Sequence, residues 1–289
     1  MNAVPRNDSP TLLDVRGLTV GYEMRRGPFA PRELVPVVED VSFTIAEGET
    51  LGFVGESGSG KSTVGKAILR LVQPMAGSIR FDGRDVADDG PRAPLAYRRN
   101  VQAVFQDPAA SLNPRHVVSH AIETSLRCHG TRNRDEVRDR TREPFEMVGL
   151  GVEHLNRFPA ELSGGQQQRV AIARALVLRP RLVVCDEAVS ALDLSTQGQI
   201  INLLADLQES TGVSYLFIAH DLGLVRHIAH RVGVMSSGRL VELAETEQIF
   251  EHPQHRYTRK LLAATPAAHP DEREKRRRRR LAHRKPVTA

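Results

Sequence analysis

The sequence predicts an α/β fold with an N-terminal antiparallel β layer and an inserted helical subdomain. Four short apolar runs, each followed by a loop and a helical pattern, lie at 51–54, 101–105, 182–185 and 214–218. Runs of this kind are typical of parallel strands that are buried on both faces. The alternating β-branched segments 15–20 and 41–45 predict the antiparallel layer, with a Pro-, Gly- and Arg-rich loop from Arg25 to Pro36 between them.

Helical periodicity replaces the apolar runs from about Asp107 to Leu162, where the chain is rich in charge. This change predicts a helical subdomain inserted into the sheet domain. Further along the chain, residues 232–235 and 239–242 flank the turn sequence Ser-Ser-Gly, which predicts a hairpin. We expect a short helical segment after it.

The net charge of +5 is concentrated in one short segment. Residues 271–289 contain nine Lys or Arg against three acidic residues, so the other 270 residues carry a net charge of −1. Because the folded body is not basic, the charge gives little support to a nucleic-acid-binding class. We expect the tail to be disordered, with contact to anionic lipid or RNA as the alternative.

No segment approaches the roughly 18 consecutive apolar residues of a membrane span, and the first residues lack the apolar stretch of a signal peptide. We therefore expect a cytoplasmic protein. The two cysteines, Cys128 and Cys185, have neither disulfide nor metal-site spacing. We expect both to be reduced packing residues.

The segment GESGSGKS, from Gly55 to Ser62, matches the phosphate-loop pattern at every specified position. It stands between a predicted strand and a predicted helix, which is the context that the motif requires. Its glycines let the backbone wrap a phosphate, Lys61 can reach the β and γ phosphates, and the Ser62 hydroxyl can ligate Mg²⁺. The residues expected to bind ATP here are Gly55, Ser57, Gly58, Ser59, Gly60, Lys61, Ser62 and Thr63.

Two carboxylates follow the apolar run 182–185. Asp186 is placed to hold Mg²⁺ through water, and Glu187 is placed to orient or deprotonate a water that attacks the γ phosphate. By themselves these acids are equally compatible with an N-cap pair of the next helix. The tetrapeptide SALD at 190–193 can also cap a helix that starts near Leu194, and that reading is compatible with an interface role for Asp193.

Three further polar or aromatic residues stand beside predicted strands. Gln106 can contact Mg²⁺ and the attacking water and act as a hinge, or simply cap a strand end. His220 can hydrogen-bond the γ phosphate and the catalytic water, or be a polar surface residue. Tyr22 can stack on a flat base, or be an ordinary core or surface aromatic.

The segment LSGGQ, residues 162–166, runs directly into a predicted helix. Two glycines beside a serine leave backbone N–H groups free at the positive end of the helix dipole, which is the chemistry of an anion site. The chain therefore carries a second anion site in addition to its phosphate loop.

The order of these motifs resembles that of the nucleotide-binding subunit of an ABC transporter. The resemblance covers about residues 12–242 and implies a P-loop NTPase fold of the ABC type, with the helical subdomain at about 107–165. It implies that two such domains pair head to tail, with Asp193 near the partner's site across the interface. The residues that would then face the γ phosphate of the partner's ATP are those of the signature, Ser163, Gly164, Gly165 and Gln166.

Longer stretches, at 105–115, 184–204, 218–235 and 241–266, resemble the ATPase subunits of bacterial oligopeptide and dipeptide importers. This resemblance implies an ATP-hydrolysing subunit with ATP and Mg²⁺ as cofactors, peripheral at the cytoplasmic face of the membrane. The implied partners are a second, different ATPase subunit, two transmembrane permease subunits and an extracytoplasmic solute-binding protein. Outside the ATPase domain the implied segments are an N-terminal extension at 1–11, an importer-type extension at 243–268 and a basic tail at 269–289.

The substrate stays open at this point, because related importers move nickel or glutathione. A non-transport ABC ATPase acting on nucleic acid is the alternative from another class, although no nucleic-acid partner is expected. Ala188, Ala219 and Arg256 stand where the family usually has Pro, Ser and Pro. None of these departures removes a functional side chain, so we expect hydrolysis to survive.

Overall fold

The computed structural model describes residues 9–25, 32–87, 90 and 93–264. The predicted basic tail and most of the predicted N-terminal extension lie outside the described residues. Within the described part of the chain, none of the helices is long and apolar enough to cross a membrane.

The first sheet is the antiparallel layer. Its strands are β1 (Thr11–Arg25), β2 (Arg32–Ala46), β4 (Ala76–Phe81) and β5 (Arg84–Asp85), in the order β2-β1-β4-β5. The strands β1 and β2 are longer than predicted, and the loop expected from Arg25 to Pro36 is wrong over 32–36. Tyr22 pairs with Val35 and Gly21 with Pro36. Because β2 is an edge strand, Pro36 can stand in it without breaking an interior ladder.

The second sheet contains the predicted parallel strands. Its members are β3 (Thr50–Val54), β6 (Val101–Phe105), β7 (Leu182–Asp186), β8 (Ser214–Ile218), β9 (Arg231–Ser236) and β10 (Arg239–Glu245), in the order β10-β9-β3-β8-β7-β6. The strands from β9 to β6 are parallel, and β10 pairs with β9 antiparallel. The four predicted runs and the hairpin are thereby confirmed as strands.

Both faces of this sheet are covered. Val183 and Cys185 of β7 belong to one core cluster, whereas Leu182 and Val184 belong to the other. Alternate side chains of one strand therefore enter different cores, which explains why the run reads as continuously apolar. Burial raises the pKa of the Cys185 thiol to about 12, so the expectation of a packing cysteine holds there. It is wrong for Cys128, which ends a helix and is exposed.

The helices fall into three groups. The sheet domain carries α1 (Lys61–Ile68), α2 (Leu95–Asn100), α7 (Leu194–Thr211) and α8 (Leu222–Ile228). The inserted segment folds into α3 (Pro108–Ser111), α4 (Val118–Cys128), α5 (Arg134–Met147) and two 3₁₀ turns, Val152–His154 and Pro159–Glu161, before α6 (Gly164–Leu176). The hairpin is followed by α9 (Thr246–Glu251) and α10 (Arg256–Ala264).

The helix α6 connects the inserted segment to the sheet domain. It contacts α3, α4 and α5 on one side and β6 and α7 on the other. Val170 and Ile172 of this helix lie in the same core cluster as Ile122 of α4 and Val183 of β7, so one core joins the inserted helices to the sheet.

Candidate nucleotide-binding site

The phosphate loop leaves the sheet at the end of β3 and enters α1 at Lys61. Gly60 is the N-cap of α1 and has a φ of 101°, in the left-handed region that favours glycine. At Gly55 a Cβ would lie only 2.2 Å from the backbone oxygen of Met235. The loop is thus packed against the end of β9 so closely that only glycine fits at its first position.

The ammonium of Lys61 lies inside this loop. Its Nζ donates to the backbone oxygens of Gly55 and Glu56 at 2.8 and 2.9 Å, and to the Oγ of Ser59 at 3.3 Å. Only 5% of the residue is exposed. Burial lowers the pKa of Lys61, while the negative charges of Glu187 and Asp186 oppose that shift.

Ser62 and Asp186 bring oxygen atoms together between α1 and β7. The Oγ of Ser62 donates to the Oδ1 of Asp186 at 2.7 Å. Burial raises the pKa of the Asp186 carboxyl, the hydrogen bond from Ser62 opposes this shift, and the charge of Glu187 adds to it. A hydroxyl and a carboxylate in contact are the kind of oxygen ligands that Mg²⁺ prefers.

Glu187 follows Asp186 with a left-handed backbone, at a φ of 51°. Its N–H donates to the oxygen of Ile218 at 2.9 Å, and its own oxygen accepts from the Ser190 hydroxyl at 2.9 Å. These bonds fix the residue at the end of β7. The N-cap of α7 is Asp193, so the alternative that the acidic pair caps this helix is wrong.

His220 lies beside Glu187 at the end of β8. Its Nδ1 is 3.9 Å from the Oε2 of Glu187, and the two side chains are 60% and 26% exposed. A shallow pocket is lined by both residues together with Ser190, Gln197 and Asp221. The Glu187 side chain is therefore partly open to solvent at this pocket.

Gln106 and Tyr22 stand at the edges of this site. The last pair of β6 and β7 joins Phe105 to Asp186, so Gln106 leaves the sheet next to Glu187. Gln106 is exposed. Tyr22 is half-buried in β1, two positions from Val20, whose pairing partner Val38 lies next to Gly60 of the phosphate loop.

The signature segment lies at the start of α6, next to the start of α7, where a Cβ on Gly165 would lie 2.6 Å from the Cγ2 of Thr196. The Oγ of Ser163 accepts from the N–H of Gln166 at 3.3 Å, and the N–H of Ser163 donates to the Oε1 of Gln166 at 3.0 Å. This reciprocal pair is a capping box that starts α6. Ser163 and Gly164 are exposed, whereas Gln166 also contacts His154 at 3.3 Å.

Asp193 caps α7, as predicted for the tetrapeptide at 190–193. Its carboxylate accepts from the N–H and the Oγ1 of Thr196 and from the Oγ of Ser195, at 3.0, 2.7 and 2.9 Å. These hydrogen bonds, led by the one from the Thr196 backbone, lower the pKa of Asp193 to about 2.

Comparison with known families accounts for this arrangement. A family model described as "ABC transporter" matches residues 38–190, which include the phosphate loop, the signature and the acidic pair. The chain belongs to the ABC transporter family. A second model, described as "Oligopeptide/dipeptide transporter, C-terminal region", matches residues 241–288 of this ABC transporter chain.

Curated relatives of this ABC transporter chain include two proteins named "Glutathione import ATP-binding protein GsiA". The protein from Salmonella typhi is 51% identical over 270 residues, which cover 92% of this chain and 43% of the relative. The protein from Escherichia coli (strain K12) is 50% identical over 265 residues, which cover 91% of this chain and 42% of the relative. The chain thus spans less than half the length of these relatives.

Solved ABC structures have the same fold. The dimeric ATP-binding cassette MJ0796, bound to ADP and Pi, is 31% identical, with a TM-score of 0.71 over 81% of this chain and 99% of that chain. The protein cbiO1 from Clostridium perfringens, part of the ABC transporter complex cbiONQ, is 25% identical. Its TM-score is 0.72, and the match covers 94% of this chain and 98% of that chain. The predicted ABC-type α/β fold is confirmed.

One residue beside the phosphate loop of this ABC cassette escaped sequence reasoning. The hydroxyl of Tyr257, in α10, accepts the N–H of Glu56 at 3.1 Å. The two residues are 201 positions apart. Sequence spacing gave no reason to join them, and the only available signal was that Tyr257 lies in a segment resembling importer ATPases.

The departures from the ABC family pattern fit their surroundings. Ala188, which follows Glu187, and Ala219, which precedes His220, are both buried in the same core cluster. Arg256 is exposed at the first position of α10, where Pro and other residues are both tolerated. None of these three positions contributes a polar contact to the acidic pair or the phosphate loop.

Proposed function

We propose that this chain is the ATP-hydrolysing subunit that energises a membrane importer of short peptides. The observation that carries the proposal is the meeting of Lys61, Ser62, Asp186 and Glu187 at one sheet edge. The C-terminal region that matches oligopeptide and dipeptide transporters supports the importer class. The division predicted from the sequence, with an ATPase domain at 12–242 and an extension at 243–268, is part of this proposal.

In the proposed site, the loop from Gly55 to Thr63 binds the phosphates of ATP. Successive backbone N–H groups and the start of α1 provide donors and a positive dipole end for an anion. Lys61 exchanges its contacts with the loop oxygens for phosphate oxygens, which is favoured because its ammonium is already desolvated. Tyr22 stacks on the base, supported by its position in the layer that contacts the loop.

The oxygen atoms of Ser62, Asp186 and Gln106 fit a magnesium site. The contact between the Ser62 hydroxyl and the Asp186 carboxylate supplies the hard oxygen ligands that this cation needs. When bound, Mg²⁺ neutralises phosphate charge. We place Ser62 as a direct ligand, Asp186 as a ligand through water, and Gln106 as a contact from the inserted segment.

Glu187 is the proposed general base. Its carboxylate is partly exposed to the pocket, so that it can accept a proton from a water. His220, 3.9 Å from this carboxylate, orients that water and the γ phosphate. Gln106 leaves the neighbouring strand and joins this group when the inserted helices move toward the sheet.

The signature is proposed to complete the ATP site of a second ABC subunit. Ser163 and Gly164 are exposed at the start of α6, so the Ser163 hydroxyl and the Gly164 N–H can donate to a phosphate from another chain. Gly165 and Gln166 complete the proposed signature, with Gly165 packed against Thr196 of α7 and Gln166 holding the segment through the capping box. Asp193 stands near the same interface.

The proposed assembly has four kinds of subunit. A second, different ATPase subunit pairs with this chain, and two permease subunits and an extracytoplasmic solute-binding protein complete the importer. The chain is then peripheral at the cytoplasmic face of the membrane. Nucleic acid is not among the proposed partners.

The first proposed substrate class is oligopeptides or dipeptides. Glutathione, a tripeptide, is the second candidate, because curated relatives at 50–51% identity are named as glutathione importers. Nickel is the third candidate, from the resemblance of the sequence to importers of this family.

The nucleotide part of the proposal is tested by titrating ATP into the purified chain and into Lys61→Ala. We expect the wild type to bind and the variant to lose at least about tenfold in affinity, since a charge-assisted contact to phosphate is removed. Lys260→Ala, which removes an exposed ammonium from α10, is the matched control. Equal affinity of wild type and Lys61→Ala would contradict the proposed site.

The importer part is tested by gentle detergent extraction of the tagged chain from its own cells. We expect permease subunits to co-purify, and the reconstituted complex to hydrolyse ATP faster with a solute-binding protein and a short peptide. Stimulation by glutathione alone would favour the second candidate. Recovery of the chain without any permease would count against both.

A further inference from the structure

One peptide unit of the phosphate loop is held from both of its ends. The carbonyl oxygen of Gly55 accepts from the Nζ of Lys61 at 2.8 Å. The N–H of Glu56, on the same peptide plane, donates to the hydroxyl of Tyr257 at 3.1 Å. A peptide plane is rigid, so a bond at its N–H fixes the direction of its carbonyl. The Tyr257 hydroxyl therefore sets the orientation of a group that holds Lys61.

The segment that carries Tyr257 is anchored independently of this bond. The carboxylate of Glu242, in β10, accepts the N–H groups of Gln254 and His255 at 2.7 and 3.0 Å. It also accepts the hydroxyl of Thr258. Burial acts to raise the pKa of Glu242, but these hydrogen bonds outweigh it and lower the pKa. The start of α10 is thus tied to the sheet on both sides of Tyr257.

Apolar contacts complete the docking of α10. Tyr257, Leu261 and Leu262 pack against the core cluster that includes Val54, the last residue of β3. The aromatic ring is therefore held in place by packing, while the hydroxyl is left to make a polar contact. A Tyr hydroxyl positioned in this way orders its partner at little entropic cost, because the ring is already immobilised.

We propose that Tyr257 is a positioning residue for nucleotide binding, through which the C-terminal segment sets the geometry of the phosphate loop. The proposal rests on the proposed ATP site. Tyr257 orients the Gly55–Glu56 peptide, and the carbonyl of this peptide keeps the ammonium of Lys61 inside the loop before the phosphates bind. The residue does not itself contact the nucleotide.

Because the hydroxyl polarises the peptide as well as orienting it, its loss acts on the carbonyl at the other end. Without an acceptor for the Glu56 N–H, the peptide plane is held only at its carbonyl by Lys61, and part of the loop's order must then be supplied by the nucleotide. The expected consequence is weaker nucleotide binding without loss of the fold.

The test compares Tyr257→Phe with the wild type. The substitution keeps the ring and removes only the hydroxyl. We expect the affinity for ATP to fall by about two- to tenfold, as for the loss of one hydrogen bond. Amide hydrogen exchange at Glu56, measured without nucleotide, is expected to become faster, a change that a role in packing alone would not produce.

Tyr97→Phe is the matched control, since it also removes one tyrosine hydroxyl, which donates to the backbone oxygen of Ile68 at 2.6 Å. We expect this variant to lower the melting temperature and leave ATP affinity unchanged. A Tyr257→Phe chain with wild-type affinity for ATP, while Lys61→Ala is impaired, would overturn the inference and leave the proposed function intact. A wild type that does not bind ATP would overturn both.

Discussion

Ser62 and Asp186 are joined by a hydrogen bond of 2.7 Å between the serine Oγ and the carboxylate Oδ1, although 124 positions separate them. The bond links the first turn of α1 to the last residue of β7. It brings the phosphate loop and the acidic strand end into one site. The next residue, Glu187, then faces the pocket that His220 shares.

This contact predicts the effect of Ser62→Ala on magnesium dependence. Removal of a proposed metal ligand is expected to raise the Mg²⁺ concentration for half-maximal ATP hydrolysis by about tenfold or more. The measurement is a Mg²⁺ titration of the hydrolysis rate at fixed ATP. Ser210→Ala, exposed on α7, is expected to leave the titration unchanged. An unshifted Mg²⁺ midpoint in Ser62→Ala would remove Ser62 from the proposed site.

Glu187→Gln is expected to abolish turnover at this chain's own ATP site and to keep ATP binding there. The amide has nearly the same shape as the carboxylate but cannot accept the proton of the attacking water, and general-base catalysis contributes about 10²- to 10⁴-fold. Phosphate release by the assembled complex measures the loss, and ATP titration measures the retained affinity. Glu209→Gln, on the exposed side of α7, is the control. Unchanged steady-state hydrolysis in Glu187→Gln would refute the role of this residue.

Gly164 is the position at which to test the signature. A Cβ there meets its nearest neighbour, Leu192, at 3.5 Å, so the fold can accept a side chain. In Gly164→Asp the added carboxylate stands at the start of α6, where it suits the helix dipole but repels a phosphate from another chain. We expect hydrolysis of ATP at the partner's site to fall at least about tenfold, with binding by this chain's own loop unaffected.

The uncharged isostere, Gly164→Asn, separates charge from size. It is expected to impair the partner's site less than Gly164→Asp. Hydrolysis is measured in the complex with this chain's own site silenced by Glu187→Gln, so that only the partner's site turns over. Equal activity of the Asp variant and the parent complex would show that the signature does not face a phosphate.

The lowered pKa of Asp193 predicts that part of the folding stability is lost in acid. Its pKa is lowered from an ordinary value of 3.8 to about 2 in the fold, so its contribution to stability is complete above pH 3.8. That contribution is lost as the pH falls through about 2. Asp193→Asn keeps a capping oxygen and removes the titration. We expect the wild type to be the more stable at pH 7, and the difference in melting temperature to shrink between pH 4 and 2.5. A difference that stays constant with pH would contradict this assignment.

The fold was predictable wherever a local pattern carries the information. The runs that became β3, β7 and β8 are buried almost throughout, so their apolar character is continuous and easily recognised, and the run of β6 is apolar at four of five positions although it lies at the sheet edge. The strands β4 and β5 were missed, since they are short and partly exposed and carry no such run. The length of β1 and β2 was also missed, because their ends are stabilised by pairing with each other and not by an apolar pattern.

By itself, the sequence determined the chemistry of each segment. A phosphate loop from Gly55 to Ser62 and a capping box at Ser163 and Gln166 are made of neighbouring residues, whose hydrogen bonds close over a few positions. Such contacts depend on local backbone conformation, which nearby residues largely fix.

Tertiary structure decided which of these segments meet. The contact of Ser62 with Asp186 exists because α1 packs across β7 and β8. The contact of Tyr257 with Glu56 exists because α10 docks on the core beside β3. These contacts span 124 and 201 positions. Long-range pairs of this kind follow from how buried surfaces fit together, and no local pattern in the chain specifies them.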